Sequence, residues 1–275
     1  MITYCKPDHP ELIIEKTGQK LYDRQLGSRH ACFPVGGTGY FLAFCWTDVT
    51  HIKKRDSRVS IYCDNSQLIM MGTEEVTAVM QSLPQDGDPF ATLVEFFSEL
   101  TGPDVDVLER QERDINELEV GLLTTEHPSK GALRRIITLR RALMKTKRYY
   151  EQLGMVVDRL TENEARIIDE EIHGRYRAVG RYVHYLIQYV VDLREFVTQV
   201  REAYQSQIDI EQNEIMKIFT VLTAIFMPLT LIVGWYGMNF NIPELSWAHG
   251  YLYVTVLSLV VCSICFFIFK KKHWF

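Results

Sequence analysis

The sequence predicts an α+β membrane protein: an N-terminal cytoplasmic α/β domain, a long helical stalk continuous with a first membrane span, and a second span at the C-terminus. Three observations carry this. No Asp, Glu, Lys or Arg stands between Ile218 and Pro243, or between Leu245 and Phe269, where His249 is the one side chain whose ordinary titration range lies near neutral pH. Apolar runs of that length are read as membrane helices. No proline occurs between Pro128 and Pro228, so nothing forces a break in the helix entering the first run. Strand signals, by contrast, are confined to residues 1–100.

The chain of 275 residues is 47% hydrophobic and 24% charged, with a formal charge of −5, which excludes a disordered or collagen-like chain. The first 216 residues hold all but four of the 30 basic and all but one of the 35 acidic side chains, a net of −8. An acidic soluble part argues against nucleic acid as a partner. The six cysteines (5, 32, 45, 63, 262 and 265) have no framework spacing. Cys262 and Cys265 fall inside the second apolar run, where packing explains them better than a metal or redox pair. The start has no apolar core suited to a signal peptide, so the first domain is expected in the cytoplasm with its thiols reduced.

Residues 1–103 read as the α/β domain. Tyr40–Trp46 is an apolar run of strand length, and Val59–Cys63 and Gln67–Met71 flank the turn residues Asp64-Asn65-Ser66 as a hairpin would. Thr73–Leu83 and Phe90–Leu100 have helical periodicity, with Pro84 and Pro89 bounding the loop between them. Gly36-Gly37-Thr38-Gly39 lacks the spacing of a phosphate loop and is read as a turn.

Residues 104–168 read as a helical hairpin, Asp104–Leu123 and about Lys130–Leu160, broken at Glu126-His127-Pro128-Ser129. The basic stretch from Arg134 to Arg148 is expected to be a solvated face paired with the acidic first helix. Attraction to anionic lipid heads is the alternative. Residues 169–216 form the stalk: Val179, Val183, Leu186, Val190, Leu193, Val197, Val200 and Tyr204 recur at steps of four and three, a seam that needs partner helices. Gly174 and Gly180 weaken its first turns.

The first span covers residues 217–236 and the second 251–269; the uncharged stretches Ile218–Tyr236 and Tyr251–Phe269 are each about 28 Å of helix. Trp235, Tyr236, Trp247, Tyr251 and Tyr253 cluster beside the connector 237–250 as an interfacial belt would, and the connector has no Lys or Arg. With Lys217 before the first span and a basic tail 270–275 after the second, both termini are expected on the cytoplasmic side. Along the first span Met216, Thr220, Thr223, Met227, Thr230 and Gly234 fall on one stripe that mixes hydroxyls and thioethers. A threonine in a membrane helix can equally bond its own i−4 carbonyl. Traced back, the stripe meets Asn213, Asp209, Ser206 and Glu202, which in a symmetric oligomer would ring the inner mouth with carboxylates and attract cations. Pro228 removes one backbone hydrogen bond in mid-span.

Tyr236-Gly237-Met238-Asn239-Phe240 closes the first span; Pro243-Glu244-Leu245 and Lys270-Lys271-Lys272-His273-Trp274-Phe275 follow. With the two C-terminal spans, these residues resemble the CorA family of magnesium channels. Asn213–Lys217 and Phe226–Thr230 add to the likeness, which is looser from about residue 104. The resemblance implies a homopentamer whose five long helices form a stalk and line the pore, with the second spans as an outer ring. It places Met216, Phe219, Met227, Thr230 and Asn239 on the pore, Phe219 standing where the family usually has an aliphatic gate residue. It implies an outer loop that holds a hydrated cation over the selectivity motif Gly237, Met238 and Asn239, Glu244 adding negative charge nearby, and a basic ring of Lys270, Lys271 and Lys272. No resident cofactor is implied: Mg²⁺ is the transported ion, and a bound regulatory ion is a further reading. The chain is short for the family, with the deficit in the N-terminal domain. The acidic segment that in relatives pairs with the stalk to sense Mg²⁺ is not found; Asp86 and Asp88 are available acids, equally explained by a Pro-flanked turn.

The chemistry agrees with that resemblance. Mg²⁺ sheds its waters reluctantly, so an entrance does better to hydrogen-bond the hydration shell than to strip it. The function expected is Mg²⁺ import down the electrochemical gradient, with Co²⁺ or Ni²⁺ as accompanying cargo. A zinc transporter of the ZntB type is the alternative within the fold; Met238 favours magnesium. A two-span receptor would explain the heptads but neither the polar stripe nor the short connector. No nucleophile–base pair or metal-ligand cluster of usable spacing supports an enzyme.

Overall fold

The computed structural model describes residues 2–5, 10–26, 29–84, 87–124, 130–239, 243, 247 and 249–271. The chain divides into two compact bodies, Met1–Ala203 and Tyr204–Phe275.

The first body is built on five strands, β1 (Ile2–Cys5), β2 (Ala31–Val35), β3 (Gly39–Trp46), β4 (Ser57–Asp64) and β5 (Leu68–Met71), in the order β1-β5-β4-β3-β2. Strands β2 to β5 form an antiparallel meander, and β1 joins β5 in parallel with Ile2 opposite Leu68. The run Tyr40–Phe44 is buried throughout because helices cover both faces of its sheet. Phe41 and Ala43 share one cluster with Ile13 of α1 (Glu11–Thr17) and Tyr22 of α2 (Gln19–Leu26). Tyr40 and Phe44 face the other way, their rings 6.3 and 6.1 Å from Phe90 and Phe97 of α4 (Pro89–Thr101). Helix α3 (Glu74–Gln81) buries Val76 and Met80.

Local chemistry fixes the turns. Gly36 and Gly37 adopt positive φ between β2 and β3, so the glycine run serves as a turn. Asp64 Oδ1 accepts from the Ser66 and Gln67 amides at 2.8 and 2.9 Å. Burial alone would raise this carboxyl, but the hydrogen bonds from Ser66 and Gln67 outweigh it and hold it at about 2. Asp88 caps α4 by accepting from Phe90 and Ala91 at 2.7 and 3.2 Å, with Pro89 in the first turn. Its carboxylate is thereby accounted for; Asp86 lies outside the described residues.

Helices α5 (Asp104–Thr124), α6 (Lys130–Glu162) and α7 (Glu170–Tyr236) follow; the expected break at 126–129 lies outside the described residues. Gly174 and Gly180 do not interrupt α7. The seam from Val179 to Val200 is buried, and its partners belong to the same chain: a Cβ on Gly154 of α6 would stand 3.3 Å from Ile187, and one on Gly180 would stand 3.6 Å from Val157. The Tyr189 hydroxyl donates to the Glu112 carboxylate of α5. The heptads thus mark packing on the chain's own hairpin.

For the basic stretch of α6 one half of the expectation is corrected: its face is solvated but not paired with the acidic helix. Among the described residues no ion pair joins the basic stretch of α6 to α5. Lys145 instead reaches Asp56 at 2.9 Å, and Lys147 pairs with Glu151 one turn along its own helix. Arg134, Arg135, Arg140 and Arg141 are exposed.

The second body contains the remainder of α7, with Pro228 inside it, and α8 (Gly250–Lys271). Both helices are long and apolar enough to span a bilayer, and in the apolar stretch of each almost no residue is buried, the opposite of a soluble core helix.

Candidate functional site

The site begins where α7 stops. The Gly237 N–H donates to Val233 O at 2.8 Å and Met238 N–H to Trp235 O at 3.4 Å, closing the last turn. A Cβ on Gly237 would lie 2.8 Å from that same Val233 oxygen, so only glycine turns the chain here without a backbone shift. Asn239 follows, exposed and with no protein partner among the described residues, so its amide is left to whatever lies beyond the helix end. Gly250 N–H donates to Trp247 O at 3.1 Å at the start of α8, and the Trp247 and Tyr253 rings meet edge-on with centroids 6.1 Å apart. Trp235 and Tyr251 are exposed beside them, a placement suited to a membrane interface.

Below this end, the stripe of the first span faces away from the chain. Met216, Phe219 and Met227 are 59%, 60% and 67% exposed, and Thr220, Thr223, Thr230 and Gly234 are exposed with them. Thr220, Thr223 and Thr230 donate to the carbonyls of Met216, Phe219 and Phe226, each at 2.8 Å. That is the local backbone bonding a membrane threonine favours. It also orients the group: with its proton held by the backbone, each hydroxyl presents only acceptor lone pairs outward. Acceptors match the outward-pointing hydrogens of a hydrated cation.

Asp209 accepts from Gln205 Nε2 at 3.1 Å, and Asn213 is exposed nearby on the same helix. In the first body, Glu202 is likewise exposed. Lys270 and Lys271 sit in the last turn of α8, where cations complement the helix dipole. Glu244 and Lys272 lie outside the described residues. Among the described residues no group of three or more His, Cys, Asp or Glu side chains could hold a metal ion; along the first span the stripe itself offers hydroxyls and thioethers.

The family profile of CorA-like Mg²⁺ transporter proteins matches residues 45–271. The chain belongs to that family. It is 34% identical over 169 residues to the cobalt/magnesium transport protein CorA of Thermotoga maritima, covering 61% of this chain and 48% of that one. It is 31% identical to a magnesium transport protein CorA of Campylobacter jejuni, over 73% of this chain and 62% of that one. The chain thus spans about half to two thirds of the length of these curated relatives. Its fold is that of the CorA magnesium transporter from Methanocaldococcus jannaschii, with a TM-score of 0.81 at 22% identity, covering 99% of this chain and 90% of that one. In this CorA-family chain, the i−4 bonding of the threonines agrees with one of the two readings the sequence offered, whereas how α7 is covered within the chain was not read from it. That coverage shows in the contacts of Gly154 and Gly180.

Proposed function

We propose that this CorA-family chain assembles as a homopentameric cation channel. It admits Mg²⁺, and with it Co²⁺ or Ni²⁺, across the plasma membrane into the cytoplasm, with both termini inside. The single observation that carries this reading is Asn239: an exposed amide, without a partner among the described residues, set just past the end of a spanning helix by a glycine that cannot be replaced without strain. A ring of such amides accepts hydrogen bonds from the water shell of Mg²⁺ and leaves the shell in place. Beneath it the stripe from Thr230 to Met216 continues without a charge, so the ion passes hydrated and is not trapped by direct coordination. Inward movement of a dication through 100 mV releases about 4.6 kcal/mol, enough to drive uptake without chemical catalysis. Glu202, Asp209 and Asn213 then attract cations at the inner mouth, Glu244 adds negative charge at the outer one, and Lys270 to Lys272 form a basic ring.

Expression in a magnesium-starved host tests the reading. Restored growth with unchanged zinc tolerance supports it, whereas altered zinc tolerance without rescue supports zinc transport. Native mass measurement of the detergent-solubilised particle supplies the subunit count, five on this account.

A further inference from the structure

Within the first body, the segment Val49–Lys54 after β3 and the facing sides of α5 and α6 enclose a groove of about 970 Å³. Lys53, Arg110 and Arg141 line it, all exposed and none with a carboxylate partner among the described residues. Their neighbours differ. Lys54 is paired with Glu75, and Lys145 with Asp56. Lys145 also donates to the carbonyls of Ile52 and Lys54 at 2.8 and 2.6 Å. It thereby ties the loop to α6 and holds the groove open in advance of any ligand.

The lining is apolar where it is deepest, at Val49 and Val107, which are 5% and 8% exposed. One wall carries the polar side chain of Gln111. Asp114 is the one acid in the lining. An unpaired cationic groove on a body whose charge is otherwise negative is a local reversal, and it selects an anion. Two guanidiniums select phosphate oxygens in particular, which they can grip in pairs. The volume suits a small molecule.

We propose that this groove binds a nucleoside polyphosphate. Arg110, Arg141 and Lys53 take the phosphates, and the base lies on the apolar side of the groove at Val49 and Val107. Mg²⁺ bridging the terminal phosphates neutralises two of the charges that the groove reads. The metal-free nucleotide therefore binds more tightly than its Mg²⁺ complex, and occupancy rises as free Mg²⁺ falls. The site does not rest on ion conduction and stands or falls separately.

Calorimetric titration of ATP into the full detergent-solubilised chain, in EDTA at low salt, tests it. One saturable site per chain is expected. Arg110→Ala and Arg141→Ala should each weaken it about tenfold, and Asp114→Asn should tighten it. Pyrophosphate should bind more weakly than ATP, and excess Mg²⁺ should weaken ATP binding. All three changed side chains are exposed, so melting temperatures should match the unmodified chain and certify the fold. Absence of saturable binding, affinity unchanged in both arginine variants, or tighter binding of the Mg²⁺ complex overturns the proposal. Displacement of ATP by phosphatidylglycerol in mixed micelles would assign the groove to lipid headgroups and overturn it equally.

Discussion

The Cys265 thiol of α8 lies 3.9 Å from the Ala224 carbonyl of α7 and donates to it. Ala224 stands four residues before Pro228, so it is the carbonyl that the proline leaves without its helical donor. In a bilayer an unmet backbone carbonyl is costly, and here the second span supplies the missing donor. A weak S–H donor replaces a strong N–H and ties the two helices together at this point.

That pairing gives a sharp contrast between two substitutions. Cys265→Ser retains a donor and should leave thermal stability of the solubilised protein within a few tenths of a kcal/mol. Cys265→Val keeps the volume, loses the donor, and should cost about 1 kcal/mol. Equal melting temperatures for the two variants would remove the thiol from this role.

Gly237→Ala puts a methyl group where the Val233 carbonyl already is, 2.8 Å away. The last turn of α7 must then shift and carry Asn239 with it. Selective Mg²⁺ flux in liposomes should fall at least tenfold while the protein still inserts and purifies. Gly234→Ala is the control: a Cβ there meets nothing within 4 Å, and stability of the isolated particle should be unchanged.

Asp104 gives a pH dependence. Burial, reinforced by the charge of Asp48 and opposed by the neighbouring Tyr150 hydroxyl, pushes its carboxyl up to about 7. Among the described residues its Oδ2 has no well-aligned hydrogen-bond partner, and the hydroxyls of Thr146, Tyr149 and Tyr150 are likewise buried without one. A folded-state value above the unfolded one, near 3.9, means that the folded chain holds the extra proton. Its favourable contribution is therefore present at low pH and is lost as pH rises from about 4 through 7. Asp104→Asn should stabilise the chain by on the order of 2 kcal/mol at pH 8 and by much less at pH 5. A gain that is identical at the two values would contradict the assignment.

Asp88→Ala should cost about 1 kcal/mol through loss of the α4 cap, read as a lower melting temperature with no change in metal selectivity. A loss of Mg²⁺-dependent behaviour without a loss of stability would instead point to a metal role for this carboxylate.

The legible parts of this fold are those with a strong period or a strong gap in charge. The spans, the hairpin around Asp64-Asn65-Ser66 and the long helix through Val183 and Val190 can all be read from the residues. The short elements β1, β2, α1 and α2 cannot. β2 contains Pro34 and survives because it is an edge strand; α1 and α2 are split by Gly18 at positive φ; β1 pairs in parallel with a strand distant in sequence. The seam of α7 shows the deeper limit. A heptad pattern states that a stripe is covered, not by what, and Gly154 and Gly180 reveal a partner inside the same chain. At the candidate site, residue types and spacing were visible in advance, but the capping bond that fixes Asn239 beyond Tyr236 is a matter of geometry.

The account's central claim is that Asn239, repeated around a symmetric axis, receives a cation that keeps its water. Mg²⁺ entry into liposomes carrying the purified protein and a Mg²⁺-sensitive dye, compared for the unmodified chain and Asn239→Ala, measures this directly. Saturable influx that the substitution abolishes is the result predicted; influx that is absent from the unmodified chain, or equal in both, contradicts it.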